Sequence, residues 1–318
     1  MNDRSPTARI PPVRRYSPLS VVGDCLRGMI KAPSGRKIVA ADYSNIEGRV
    51  LAWLAGETWK LDAFRAFDRG DGPDLYKVTA GEILGINPKI VSKDQRQAYG
   101  KVPELALGYQ GGVGAFQTMA VTYGVEVTDG EAERIRDLWR AKHPHIKDFW
   151  RDLEVAAIAA VRDPGTTHHA RSIVFRVAGS FLFMRLPSGR FLAYAYPEIQ
   201  NKEMPWCDDR GHPVWKPSLS FMGVNSYTRK WERCFTYGGS LAENATQAAA
   251  RDILADAMPR LEAAGYEVVL TVHDEVVAEV DEGFGSVDDF VRVMTDLPAW
   301  ADGCPVAASG FEAERYRK

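Results

Sequence analysis

Two aspartates stand where buried strands are expected to end. Val39-Ala40-Ala41-Asp42-Tyr43 reads as a short apolar strand closed by a carboxylate. Tyr266–Val272 and Val276–Val280 read as two further strands, and His273-Asp274-Glu275 between them makes a hairpin with an acidic tip. Strand ends that meet in one sheet bring such carboxylates together, and neighbouring carboxylates repel unless a cation lies between them. Hard divalent ions take oxygen ligands and keep waters or substrate phosphates. Two of them about 4 Å apart stabilise both the attacking and the leaving oxygen of a phosphoryl transfer. On the residues by themselves a second reading stays open, and it is the commoner one: solvated carboxylates in turns.

A second group lies on a helix. Ser92-Lys93-Asp94-Gln95 has the form of a capping box, with Gln95 three residues after the Ser92 cap. The helix it starts runs to about Leu107, and Gly108 with Gly111-Gly112 ends it. Arg96, Lys101 and Tyr109 lie along it or just past it. Cations on one helix suit a triphosphate and an aromatic ring suits a base or sugar, although a solvated face is the usual fate of Arg and Lys. Pro103 falls inside this helix and should kink or split it.

The elements that position these groups follow from periodicity. Ile46, Val50, Leu51 and Leu54 recur at helical spacing, so Asp42 stands at a strand end with Glu47 near the start of a helix. A second helix closes at Ile83-Leu84 before Gly85, residues 129–162 form one or two amphipathic helices, and Leu241–Leu261 is a long Ala-rich helix. Residues 163–235 read as irregular, with turns at Pro164-Gly165, Pro187-Ser188-Gly189 and Asp209-Arg210-Gly211. His168-His169 read as loop residues, Trp139, Trp150 and Trp206 as packing residues, and His143 and His145 as flanking a helix break without a function.

Composition bounds the rest. The chain has 318 residues, 45% hydrophobic and 26% charged, as expected of a globular protein with one large core or two smaller ones. No apolar run is long enough for a membrane helix, and residues 1–15 do not read as a signal peptide. Cys25, Cys207, Cys234 and Cys304 are scattered, so they read as reduced thiols of a cytoplasmic protein, and Cys207, His212 and Cys234 fit no zinc spacing. The net charge of −2 neither announces nor excludes a nucleic-acid surface.

Taken together, the motifs resemble those of family A DNA polymerases, the bacterial polymerase I type. Asp42-Tyr43-Ser44-Asn45-Ile46-Glu47-Gly48-Arg49 resembles motif A, and Arg27 with Ala32-Pro33 is similar to the segment that precedes it. Asp74-Leu75-Tyr76 with Thr79-Ala80 resembles the Asp-x-His-x-x-Thr-Ala run. Arg96 to Tyr109 resembles motif B, and Val272-His273-Asp274-Glu275 matches motif C. Glu243 to Met258 is similar to the helix that touches the primer–template minor groove. These blocks occur in the family's order from Arg27 to Val280. Gly108–Gly112 and Tyr237-Gly238-Gly239 with Gln247 and Arg251-Asp252 look most like phage-encoded members, for which the host cytoplasm is the expected location.

The resemblance implies a role for each matching residue. Asp42, Asp274 and the Tyr43 carbonyl would hold two Mg²⁺ ions, with Mn²⁺ as a substitute, and Glu275 would support them. Glu47 would close the pocket beneath the sugar and reject a 2′-hydroxyl. Arg96 and Lys101 would hold the dNTP triphosphate, with Tyr76 and Leu105 in the same pocket and Tyr109 at its templating-base end. Gln247, Arg251 and His273 would touch primer–template DNA. The implied fold is α+β: an antiparallel palm sheet from residues 1–75 and 236–318, with a mostly helical fingers region and insertion over 76–235.

Several positions depart from the pattern. Arg96 and Lys101 are five residues apart where four is usual, about 100° more rotation on a regular helix. Leu105 stands where Phe or Tyr is usual, Gly48 where a larger apolar residue is usual, and Tyr76 where a His is common. With about forty residues before Asp42, a thumb and an exonuclease domain are expected to be absent. A fragment, a split enzyme completed by a separate chain and a short distributive enzyme all fit. Two other functions are weighed: a single-subunit RNA polymerase-like enzyme, which Glu47 argues against, and a non-catalytic DNA-binding subunit of a replication complex, which Asp42 and Asp274 argue against.

Overall fold

The computed structural model describes residue 22 and residues 25–317. Strand β1 (Arg36–Tyr43) is followed by α1 (Ile46–Ala55), α2 (Thr58–Asp68) and α3 (Leu75–Leu84). Helix α4 runs as Lys93–Gln95, a π-helical stretch Arg96–Lys101 and a regular stretch Val102–Leu107. Helices α5 (Val113–Thr122), α6 (Asp129–Lys142) and α7 (Pro144–Arg162) complete the helical middle. Strands β2 (Thr167–Ala170), β3 (Ile173–Ala178), β4 (Phe181–Arg185), β5 (Phe191–Cys207), β6 (Pro213–Val224) and β7 (Trp231–Phe235) come next. The chain then forms α8 (Gly238–Ala263), β8 (Glu267–Val272), β9 (Glu275–Asp281), α9 (Val287–Thr295) and β10 (Ala308–Ala313).

The fold is α+β with two antiparallel sheets. The first has the order β10-β1-β9-β8 and is assembled from the two ends of the described chain. Its central strands carry the apolar runs that mark them in the sequence: Val39, Ala40 and Ala41 of β1 and Val276, Val277 and Ala278 of β9 are buried. Helix α8 packs Leu241, Ala245, Ala249, Ile253 and Leu261 into the same core.

The second sheet, β2-β3-β4-β5-β6-β7 in sequence order, corrects the reading of residues 163–235 as irregular. Ile173, Phe175, Leu182, Met184, Tyr194 and Leu219 line its inner face within the main core. The turn signals at Pro187-Ser188-Gly189 and Asp209–Gly211 mark the hairpins joining these strands. His168 and His169 lie in β2, not in a loop. His143 also differs from its expected place at an idle helix break. It is fully buried and stacked on Trp139 with ring centroids 3.8 Å apart. Among the described residues no helix is long and apolar enough to cross a membrane.

Candidate active site

Strand pairing brings the two aspartates together. Asp42 of β1 is the register partner of Glu275 at the start of β9. The Tyr43 N–H donates to the Asp274 carbonyl at 3.2 Å, which fixes the hairpin tip against the end of β1. The tip is two residues long, because Val272 pairs with Glu275. His273 there has φ of 55°, a left-handed conformation uncommon outside Gly, Asn and Asp and of the kind held where surrounding structure imposes it. Below the tip, Glu275 is buried, accepts a hydrogen bond from the Tyr316 hydroxyl and lies 3.6 Å from the Arg27 guanidinium. The Arg27 guanidinium stands over the Tyr316 ring at 5.0 Å. Burial first, and then the bond to Glu275, push the Tyr316 hydroxyl up to about 12.

The β1–α1 turn is locked from the other side. Buried Arg49 donates through Nε to the Ser44 carbonyl at 2.7 Å and grips Asp68 with two bonds of 2.6 and 2.7 Å. Gly48 has a local cause: a Cβ there would stand 2.6 Å from the Asn45 side chain, which occupies the space a larger residue would need.

Asp42, Asp274 and Glu275 line a cleft of about 750 Å³ with Arg27, Glu47, Lys101, Leu105, Gln247, Arg251 and His273. On α8, Gln247, Ala250, Arg251 and Leu254 repeat at three- and four-residue intervals, so one helix face forms a wall. Tyr123 of the α5 terminus also lines it and had no signal in the sequence; the Lys101 ammonium sits 5.0 Å from its ring centre. An adjoining pocket is lined by Glu47, Tyr76, Leu105, Tyr109 and Glu243. There the Tyr109 hydroxyl donates to Glu47 Oε2 at 3.0 Å. Burial, then the Glu47 carboxylate, push the Tyr109 hydroxyl well above its ordinary value, and the same two causes raise Glu243.

The π-helical stretch is where the five-residue spacing goes. The Val102 N–H donates to the Gln97 carbonyl, five residues back. In π winding, residues i and i+5 stand one turn apart, as i and i+4 do in an α-helix. Arg96 and Lys101 are therefore successive on one side of α4. Pro103 follows in the first turn of the regular stretch, where its missing N–H is tolerated. Arg96 nevertheless does not line the cleft. Its Nε lies 3.0 and 3.1 Å from the two oxygens of Asp74, and its guanidinium covers the Tyr76 ring at 4.8 Å.

Behind the pocket lies a charged network that the sequence did not reveal. Lys60 and Glu104 form a buried ion pair, and Glu104 also accepts from the Thr79 hydroxyl at 2.8 Å and the Trp139 indole at 3.1 Å. Burial by itself would raise the Glu104 carboxyl, but the Lys60 charge and the hydrogen bonds from Lys60 and Thr79 outweigh it and hold it low. Burial and the Lys60 charge lower His143 to about 3, so it is neutral. The network ties α2, α3, α4 and α6 together beneath Tyr76 and Leu105.

The donor set at the aspartates consists of hard oxygens, two carboxylates and the neighbouring Tyr43 carbonyl, on a cleft wide enough for phosphates. That chemistry fits divalent ions such as Mg²⁺ that keep several waters. Among the described residues no cluster of three or more His, Cys, Asp or Glu that could hold a metal occurs.

Comparison with known proteins completes the picture. The family model described as DNA polymerase family A matches residues 10–177. A DNA polymerase of Bacillus phage SP02 is 37% identical over 300 residues, 94% of this chain and 44% of that protein. DNA polymerase I of Pseudomonas aeruginosa is 38% identical over 124 residues, 39% of this chain and 12% of that protein. The POL domain of Pol1 from M. smegmatis, in complex with DNA primer-template and dNTP, superposes with a TM-score of 0.60 at 19% identity, over 96% of this chain and 43% of that chain. The chain thus spans less than half the length of these relatives.

Proposed function

The chain belongs to DNA polymerase family A, and from that premise we propose that it carries out template-directed DNA synthesis, adding deoxynucleotides from dNTPs to a primer 3′-hydroxyl. The observation that carries this is the pairing of Asp42 with Glu275 and of the Tyr43 N–H with the Asp274 carbonyl, which sets both aspartates on the cleft that Lys101 and Gln247 line.

Asp42, Asp274 and the Tyr43 carbonyl would hold two Mg²⁺ ions, which when bound neutralise the attacking and leaving oxygens of an in-line phosphoryl transfer. Lys101 offers an ammonium to the triphosphate from the opposite wall, and Arg96 joins it on leaving Asp74. Glu47, held by the Tyr109 hydroxyl, closes the floor where a 2′-hydroxyl would sit. Gln247, Arg251 and His273 border the primer–template side. Glu275, fixed by Tyr316 and Arg27, keeps the hairpin tip in place.

The test is extension of a labelled primer–template with Mg²⁺ and dNTPs. The wild-type chain is expected to extend it, while Asp274→Asn binds DNA about equally and extends it about 10²- to 10³-fold more slowly, a loss in the range of one lost electrostatic stabiliser. Extension by the variant at the wild-type rate would overturn the metal-holding role. Parallel reactions with ribonucleotides distinguish DNA from RNA synthesis.

A further inference from the structure

The second sheet takes no part in the site described above, yet its outer face is unusual. Strand β7 is exposed at both ends and half-buried between them, and the exposure continues past it at Tyr237. Trp231, Phe235 and Tyr237 are 59%, 40% and 50% exposed, while Thr236 between the last two is buried and donates its N–H to the Leu219 carbonyl at 2.9 Å. Period-two alternation puts Trp231, Arg233, Phe235 and Tyr237 in one file on one face. Successive members are about 6.7 Å apart, the rise of two strand residues.

The segment that forms the sheet carries a surplus of positive charge. Residues 167–235 hold ten Lys and Arg against five Asp and Glu, a surplus of five in a chain whose net charge is −2. The Lys202 ammonium stands 4.8 Å from the Phe235 ring centre. Arg233 is held 2.9 Å from Glu198 and 3.1 Å from the Tyr196 carbonyl, and Arg229 and Lys230 are exposed in the turn before Trp231.

The file also leads into the cleft. Tyr237 caps α8, and the next turn is pressed onto the end of α4. The Gly239 N–H donates to Gln110 Oε1 at 2.8 Å, and a Cβ on Gly239 would stand 2.3 Å from the Tyr109 carbonyl. Tyr237 thus stands at the start of the helix whose Glu243 lines the adjoining pocket, near enough that the Glu243 charge, after burial, raises its hydroxyl.

We propose that this file is a track for the unpaired 5′ template strand ahead of the templating base. Trp231, Phe235 and Tyr237 stack bases of the strand, and Lys202 and the Arg229-Lys230 turn meet the phosphates. Aromatic platforms in a positive surface grip single strands without regard to sequence, as a template track must. A protein-docking face would instead be depleted of charge at its centre. The proposal rests on the polymerase reading for the identity of its strand.

The experiment compares the full chain with Trp231→Ala/Phe235→Ala, which leaves Tyr237 and the cleft untouched. Fluorescence anisotropy measures affinity for a primer–template with a one-nucleotide or an eight-nucleotide 5′ overhang, and for an eight-unit abasic overhang. Wild type is expected to bind the eight-nucleotide overhang about tenfold more tightly than the other two, the worth of one stacked base. The double variant, which keeps Tyr237 and the cations, is expected to lose most of this preference, with single-nucleotide incorporation on the short overhang unchanged, which also reports that it folds. A preference that survives the double substitution undiminished, or that the abasic overhang reproduces in full, would overturn the stacking track. A wild-type chain without overhang preference that forms a dimer dissolved by the substitutions would assign the file to a second copy instead. Absence of both binding and incorporation in the wild type would sink the polymerase reading itself, whereas incorporation without overhang preference sinks the track alone.

Discussion

Arg96 Nε lies 3.0 Å from Asp74 Oδ1, and the same oxygen accepts from the backbone N–H groups of Tyr76 and Lys77, so the cap of α3 also holds the Arg96 guanidinium. If Arg96 serves nucleotide, it must leave Asp74, and the two partners compete. Arg96→Ala should raise the dNTP KM about tenfold, the worth of one charged contact. Asp74→Asn keeps a good helix cap but removes the charge. It should lower that KM by up to about fivefold, because a partly exposed pair is worth at most about 1 kcal/mol. Steady-state kinetics on both variants decide it: a raised KM in both would make Asp74 a guide for Arg96 rather than its competitor.

What the sequence disclosed and what it hid separate along physical lines. Strand β1, which ends at Asp42 and Tyr43, and β9, which follows Asp274, were legible because both are central and largely buried, so they read as apolar runs. The capping box of α4 was legible because it is local, and the structure forms it with both reciprocal bonds. The second sheet was hidden: Pro197 and Pro217 interrupt β5 and β6, register shifts break their pairing, and their outer residues are polar. The alternation of buried Ile173 and Phe175, then Leu182 and Met184, was the signal that could have found it. The odd Arg96–Lys101 spacing was visible, but its solution as a π turn was not. The Lys60–Glu104 pair joins residues far apart in the chain, and no local pattern announces such a contact.

The π turn makes Gly100 irreplaceable. A Cβ there would stand 2.0 Å from the Tyr76 carbonyl oxygen, a backbone atom that cannot swing aside. Gly100→Ala should cost about 3 kcal/mol or more as α3 and α4 are forced apart. Gly112→Ala is the control, with nothing within 4 Å of its added carbon, and should change stability by under about 0.5 kcal/mol. Urea unfolding of the two variants gives the comparison, and equal losses would show that the α3–α4 contact yields.

Stability should fall on mild acidification because of His143. It titrates near 3 in the fold against an ordinary 6.5, so between those values the unfolded chain binds a proton that the native chain does not. The contribution is complete above pH 6.5 and drains away as pH falls toward 3, at up to about 1.4 kcal/mol per pH unit. Glu104, held low, adds to the loss once pH passes below its ordinary 4.5. Unfolding free energies at pH 7.5, 6.5 and 5.5 should decline for the wild-type chain. His143→Gln should start lower, from its altered network, but decline less over that interval. Parallel slopes would remove His143 as the cause.

The Tyr109–Glu47 bond offers a graded test of sugar selection. Under the proposed reading Glu47 is the barrier to a 2′-hydroxyl, and the Tyr109 hydroxyl only keeps it in place at 3.0 Å. Glu47→Ala should therefore lower the preference for dNTP over rNTP, measured as a ratio of kcat/KM, by about 100-fold, since both the side chain and its blocking oxygen are gone. Tyr109→Phe keeps the ring but frees the carboxylate, and should lower the ratio by about five- to tenfold, one neutral-to-charged hydrogen bond. Glu243 gives an independent readout. Burial raises its carboxyl first and the Glu47 charge second, so Glu47→Ala should bring its titration down while Tyr109→Phe should not. If Tyr109→Phe matched Glu47→Ala in lost selectivity, the phenol itself would be the barrier, and Glu47 would be the residue that positions it.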